Sequence, residues 1–266
     1  MNKLAIVAGA GALPVNLSRA RPDALRIVFE GMPHEMVAPL RDHSLARLGV
    51  LFEDLKEQGV DQVVFAGGMS RPDLKPGDLD ELTMTLIPAL QAAFLQGDDA
   101  VLRFYVSLFE ERGMKVVGAH EILMELAVPE GLVVGPDPSD AVLGDAARAV
   151  DILLALSPLD VGQGAVVAAG LCLGVETLQG TDAMLDFVAQ TPAQLRRGGG
   201  VLVKAPKRGQ DLRVDMPAIG PATVHKAAAA GLEGIVVAAG KVLMLEPEET
   251  RQAFKDTGLF LMGRVL

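Results

Sequence analysis

Short apolar runs alternate along the chain with segments whose apolar residues recur every three or four positions. Residues 4–8, 25–29, 62–66 and 115–117 form the first set of runs. Runs of this kind, rather than strict alternation, mark strands covered on both faces of a parallel sheet. Between them, 48–58 carries apolar residues at 48, 51, 52 and 55, one face of a helix. Residues 79–96 and 100–112 are also helical in pattern, with a kink expected at Pro88. Strand–helix alternation over roughly the first 125 residues predicts a doubly wound α/β domain.

The punctuation then changes. Pro129, Gly131, Gly135, Pro136 and Pro138 read as a linker or long turn. Ser139 is placed to cap a helix with Val142, Ala146, Ala149 and Leu153 on its apolar face. Strands are expected at 165–169, 171–175, 201–204, 235–238 and 259–262, and helices at 181–189, 223–230 and 248–256. They complete a second α/β unit. Four of the apolar runs end in Ala-Gly: Ala8-Gly9, Ala66-Gly67, Ala169-Gly170 and Ala239-Gly240. Ligands of open α/β sheets bind at such carboxyl ends.

Composition narrows the picture. Of 266 residues, 50% are apolar and 22% charged, which excludes a disordered chain. Lys+Arg 24 against Asp+Glu 34 gives a net charge of −10, the wrong sign for a nucleic-acid binder. Mean hydropathy is high, at +0.34. Yet the uncharged stretch 161–175 is interrupted by four glycines and is shorter than the about 20 apolar residues a membrane span needs. Met1-Asn2-Lys3-Leu4 runs directly into a strand-like segment without a signal core, so a cytosolic location is expected. The single cysteine, Cys172, excludes an intrachain disulfide and is expected to be buried and inert. The four histidines are scattered, so no zinc site is expected.

Several strings could carry chemistry. Gly9-Ala10-Gly11-Ala12-Leu13-Pro14 matches a dinucleotide fingerprint at its first two glycines and fails at Pro14. Glu30 lies where a ribose-binding acid would sit. Such a turn can also present amides to another phosphate or sugar, or bind nothing. Gly67, Ser70 and Arg71 follow the third strand as plausible ligand contacts. Asp98 and Asp99 open a helix and are first read as caps. Gln163-Gly164 can offer an amide to a sugar or uracil edge. Glu176 ends an apolar strand, where a carboxylate is hard to explain as bland, and Gly180-Thr181-Asp182 starts the next helix. The window 204–215 holds Lys204, Lys207, Arg208 and Arg213 against Asp211 and Asp215. A local reversal of sign is what an anionic substrate needs on an acidic protein. Lys207 and Arg213 suit phosphate as a point charge and a fork, and Asp215 could bind Mg²⁺ or orient water.

Ser70-Arg71-Pro72-Asp73, Gly97-Asp98-Asp99, Gly118-Ala119-His120-Glu121, Asp160-Val-Gly-Gln-Gly164, Glu176 with Gly180-Thr181-Asp182-Ala183-Met184, and Lys204-Ala-Pro-Lys207 through Arg213-Val-Asp215-Met-Pro217 occur in that order. Together they resemble the UDP-2,3-diacylglucosamine pyrophosphatases of the LpxI type. The resemblance runs from the first strand to Gly258-Leu259-Phe260. It implies an N-terminal Rossmann-like parallel-sheet domain and a second, C-terminal α/β catalytic domain, here bounded as 1–127, a linker at 128–138, and 139–266. It implies Mg²⁺-dependent cleavage of UDP-2,3-diacylglucosamine to UMP and lipid X in lipid A biosynthesis. The partners implied are this lipid-linked nucleotide sugar and the cytoplasmic face of the inner membrane, touched peripherally, with no nucleic acid. Apolar helices such as 82–95 leave a homodimer open.

By the resemblance, Asp215 is the essential aspartate and candidate metal ligand. Substrate contacts are expected from Gly9, Gly11, Ala12, Leu13, Gly67, Ser70, Arg71, Asp98, Asp99, Gln163, Gly164, Glu176, Gly180, Thr181, Asp182, Lys204, Lys207, Gln210 and Arg213. Ala218, Gln179 and Ala238 depart from the family pattern, and the last two remove acids common at those places. Two other readings stay open on the residues alone: a nicotinamide-dependent oxidoreductase using Gly9, Gly11 and Glu30, and a non-catalytic nucleotide-sugar or lipid-binding protein.

Overall fold

A computed structural model describes residues 3–70, 74–192 and 194–266. The chain divides into two compact units. One runs as far as Met124 and also takes in Asp211–Asp215. The other comprises Glu125–Gln210 and Met216–Leu266.

The first unit contains, in order, β1 (Leu4–Ala8), α1 (Ala12–Ala20), β2 (Leu25–Phe29), β3 (Arg41–His43), α2 (Leu48–Glu57), β4 (Gln62–Ala66), α3 (Glu81–Gln96), α4 (Asp98–Glu110), β5 (Lys115–Val116) and α5 (Ala119–Ile122). Its strands pair in the order β3-β2-β1-β4-β5, all parallel. This is the doubly wound arrangement expected, and β1 and β4 flank the point where strand order reverses. All five residues of β1 are buried, as its unbroken apolar run requires of a central strand. The predicted face of α2 (Leu48, Leu51, Phe52, Leu55) is buried in the core with Ile27, Val63 and Phe109. Phe109 meets Phe52 and Phe65 edge-on, with ring centroids 4.9 and 5.1 Å apart. β3 has no apolar signature. It is an edge strand whose polar residues are tied by Asp54, which accepts from Arg41 Nη1 at 2.5 Å and meets His43 Nε2 at 3.0 Å.

Asp80 sets where two helices begin. Its carboxylate accepts from Thr83 N at 2.7 Å as the N-cap of α3, and from Gly49 N at 2.7 Å in the first turn of α2. α3 continues through Pro88 to Gln96.

The second unit contains β6 (Gly131–Val134), α6 (Asp140–Leu156), β7 (Gly164–Ala168), β8 (Leu171–Val175), α7 (Gly180–Ala189), β9 (Val201–Lys204), β10 (Ala218–Ile219), α8 (Pro221–Ala229), β11 (Gly234–Ala238), β12 (Leu243–Met244), α9 (Pro247–Thr257) and β13 (Phe260–Arg264). The main sheet has the order β6-β13-β11-β9-β7-β8. β13, β11 and β9 are parallel; β6, β7 and β8 each run antiparallel to the neighbour they pair with. β10 and β12 form a separate parallel pair. One face of the main sheet packs Val167, Val201 and Val203 against Val142, Ala149 and Leu153 of α6. The other packs Val166, Leu202 and Val237 against Leu185 of α7, Val224 of α8 and Phe254 of α9. Ser139 caps α6 as its position predicts, accepting from Val142 N. Buried Asp145 of α6 accepts from Ala169 N and Gly170 N at 2.8 and 2.7 Å, fixing the β7–β8 turn.

Two expectations are corrected. Residues 128–138 are not simply a linker. Val128 is buried, and the four residues after Glu130 form the edge strand β6 against β13, while the prolines and glycines around them make its ends. Cys172 is exposed, because β8 is the opposite edge strand and its start is uncovered.

Asp80→Ala should lower stability by about 2 kcal/mol, since it removes an N-cap and a second helix-start partner. Burial alone would raise the Asp80 pKa, but bonds from Thr83, Gly49 and Val50 outweigh it and hold the carboxyl below its usual range. The stabilisation is therefore present above the ordinary carboxylate pKa and is lost as pH falls through the depressed value. Urea unfolding of both proteins at neutral and acidic pH checks this: the difference between them should shrink in acid.

Candidate active site

In the first unit, the turns after β1 and β4 are bonded to each other at the strand-order reversal. Gly9 N–H donates to Ala66 O at 2.8 Å, Ala10 N–H to Gly68 O at 2.8 Å, and Gly68 N–H to Ala10 O at 3.0 Å. A Cβ on Gly9 would fall closer than 3.0 Å to Gly68 O, and one on Gly67 closer than 3.0 Å to Ala10 O. Backbone crossing therefore accounts for both glycines without a bound dinucleotide. Gly11, at φ 99°, is the N-cap of α1, with Ala12 and Leu13 as its first two helical residues. The Gly11 amide donates to the Glu35 carboxylate at 2.5 Å. The helix start thus takes an anion supplied by the chain itself. Ser70 Oγ donates to Met32 Sδ at 3.2 Å. Arg71 lies outside the described residues.

Asp98 and Asp99 are the first two residues of α4, but the cap is Gly97, with no side-chain cap bond. Asp99 instead pairs with Arg103 at 2.8 Å, one helical turn on. The capping expectation fails because both acids already lie inside the helix.

Asp211–Asp215 forms a tight turn on this unit. Asp215 N–H donates to Asp211 O at 3.0 Å. The Asp211 carboxylate accepts from Arg213 N at 3.1 Å, Nε at 2.9 Å and Nη2 at 2.7 Å. Arg213 Nη1 donates to Glu110 Oε1 of α4 at 2.6 Å. Val214 packs against the first unit's core. The hydrogen bonds from Arg213 hold the Asp211 carboxyl below its usual range, and those to Asp211 and then Glu110 hold the Arg213 guanidinium above its own. The fork expected to grip phosphate is engaged by two carboxylates and fixes the turn that carries Asp215.

In the second unit, Lys204 ends β9 with its side chain only 7% exposed. Its ammonium donates to Thr181 Oγ1 at 2.7 Å and to Ala218 O at 3.1 Å, and lies 3.9 Å from Glu176 Oε2. Thr181 Oγ1 donates in turn to Glu176 Oε2 at 2.9 Å. Glu176 N–H donates to Gly164 O at 2.8 Å, and Ala205 N–H to Gln163 O at 2.9 Å. A Cβ on Gly164 would fall closer than 3.0 Å to Glu176 Oε2. Candidates from four separated stretches thus meet: Gln163-Gly164, Glu176, Thr181 and Lys204. Thr181 is a bridge rather than a cap; α7 starts at Gly180, with Gln179 as N-cap and no side-chain cap bond, and Asp182 sits in its first turn. Lys207 pairs with Asp160, and its backbone N–H donates to Gln210 Oε1 at 2.8 Å.

The sign reversal expected from the 204–215 window is accordingly offset. Glu176, Asp160 and Glu110, distant in sequence, face Lys204, Lys207 and Arg213. Among the described residues, no group of three or more His, Cys, Asp and Glu is arranged to hold a metal. Glu35, Glu110 and the bonding role of Asp160 escape sequence reasoning, because no local pattern announces a tertiary partner.

The molecule is thus a two-unit α/β protein with its candidate residues at the carboxyl ends of strands, in the first helical turns and on the loop after β9. The LpxI N-terminal domain model matches residues 3–126 and the LpxI C-terminal domain model matches residues 129–262. A relative from Caulobacter vibrioides, the UDP-2,3-diacylglucosamine pyrophosphatase LpxI, is 41% identical over 274 residues, covering 99% of this chain and 98% of its own. The chain belongs to the LpxI family.

Lys204→Met should destabilise the protein by about 2 kcal/mol, because it leaves the part-buried Glu176 without its cation. Adding Glu176→Gln should recover part of the loss. Urea midpoints for the single and double variants test the coupling; additive losses would contradict it.

Proposed function

We propose that this chain hydrolyses the pyrophosphate bond of UDP-2,3-diacylglucosamine, yielding UMP and 2,3-diacylglucosamine 1-phosphate (lipid X), in lipid A biosynthesis. The observation that carries the reading is the end-to-end identity of 41% to a pyrophosphatase of that specificity. Water adds across the P–O–P linkage, and each phosphorus leaves as a phosphomonoester. Asp215 is the residue assigned to the reaction. Its backbone is fixed by Asp211, and Arg213 anchors the same turn to Glu110. A carboxylate so placed can bind Mg²⁺ or orient the water. When bound, Mg²⁺ would offset charge on the phosphate oxygens and favour ionisation of water. Lys204 and Thr181 hold the second unit's strand ends in register.

The substrate is a lipid, so the reading also places the working protein at the cytoplasmic face of the inner membrane. No described helix is long and apolar enough to cross a membrane, which suits attachment from one side.

Asp215→Ala should cut UMP release from UDP-2,3-diacylglucosamine with Mg²⁺ by at least about a hundredfold. Its circular dichroism and unfolding midpoint should stay near those of the unaltered chain. Near-normal turnover in that variant would sink the assignment of Asp215. Full turnover in chelator would remove Mg²⁺ from the reading.

A further inference from the structure

Gly118 follows β5 at the carboxyl end of the first unit's sheet and is the N-cap of α5. Its backbone lies at φ −79° and ψ 150°, a conformation open to any residue, so no backbone strain calls for glycine there. The space does. A Cβ at Gly118 would fall closer than 3.0 Å to both Cε1 and Nδ1 of His120, and 3.3 Å from the Cα of Arg213. The imidazole is therefore folded over Gly118, in the space next to the backbone of the turn that carries Asp215. Glu121 Oε1 accepts from Gly118 N at 2.7 Å and locks the start of α5, so the ring's point of attachment is fixed.

The ring has a second property. His120 Nδ1 is buried and has no hydrogen-bond partner among the described residues. Burying a polar nitrogen without a partner is unfavourable, and native structures keep few such atoms. A leucine or methionine would fill the same space without that penalty. The position thus holds a side chain that packing and stability alone do not favour, over a glycine whose own Cβ position lies beside the backbone of Arg213.

We infer that His120 is a positioning residue for Asp215: its ring seats the 211–215 turn, and Nδ1 is the atom that ties this turn in the substrate complex. The inference rests on the proposed hydrolysis at Asp215. Arg213 and Asp211 fix the turn through Glu110. Gly118 lies beside the backbone of Arg213, and His120 folds over Gly118. Small displacements of a reacting group carry large rate penalties, which is why a supporting residue with no bond to substrate can control turnover.

The test uses the full-length protein with UDP-2,3-diacylglucosamine and Mg²⁺, reading UMP release and thermal unfolding on each sample. His120→Leu should leave the unfolding midpoint unchanged or higher, while kcat falls about tenfold to a hundredfold and KM stays within about twofold. His120→Asn places an amide nitrogen where Nδ1 lies. It should recover most of kcat even where its poorer packing lowers the midpoint. Retention of full kcat by His120→Leu overturns the inference and leaves His120 as packing alone. So does a parallel loss of midpoint and kcat in Leu that Asn does not rescue. If the unaltered chain releases no UMP, the reading on which the inference rests fails with it, and that outcome is visible before any variant is made.

Discussion

The ion pair between Arg213 and Asp211, extended to Glu110, is the constraint on which the candidate site depends. The chain on either side of Asp211–Asp215 belongs to the second unit, yet these five residues belong to the first. A segment so short has no helix or strand of its own to fix it. Its place is set by a guanidinium shared between a carboxylate within the turn and one on α4, and by Val214 against the core. Exposed ion pairs usually contribute little to stability. Here geometry matters more than energy: several donors of one planar group are used at once, and a planar fork loses less freedom per bond than a flexible amine.

The same pairing principle governs the other basic candidates. A protein with net charge −10 that handles a pyrophosphate needs cations near its ligand, but unpaired buried cations are costly. The chain meets this by giving Lys204 and Lys207 carboxylate partners of their own, Glu176 and Asp160. For Lys204 the partnership is buried, and it joins the ends of β8 and β9 to the first turn of α7. These cations are built into the scaffold, and whatever they offer a substrate is offered from fixed positions.

Much of the fold is legible in the residues, for an identifiable reason. Central strands such as β1 and β11 bury every residue, so their runs carry no polar interruption. Edge strands are where reading fails. Arg41–His43 has no apolar run, β6 is hidden between prolines and glycines, and the run containing Cys172 belongs to an edge that leaves the thiol exposed. Among the candidate residues, the types at Glu176, Thr181 and Lys204 in the second unit and Asp215 in the first single themselves out, but their bonding does not. Thr181 reads locally as part of a helix start and is a bridge, since its partners come from β9 and the residue after β8. Gly9 reads as the start of a nucleotide fingerprint and Gly67 as a ligand contact, although the crossing of two backbone turns already requires both.

The central claim is that this chain breaks a phosphoanhydride in a lipid-linked uridine nucleotide. ³¹P NMR of UDP-2,3-diacylglucosamine incubated with the purified protein and Mg²⁺ tests it most directly. The account predicts that the coupled pyrophosphate resonances give way to two phosphomonoester signals in equal amount, those of UMP and the diacylglucosamine 1-phosphate. Persistence of the pyrophosphate signals, or decay to UDP without lipid 1-phosphate, would contradict it.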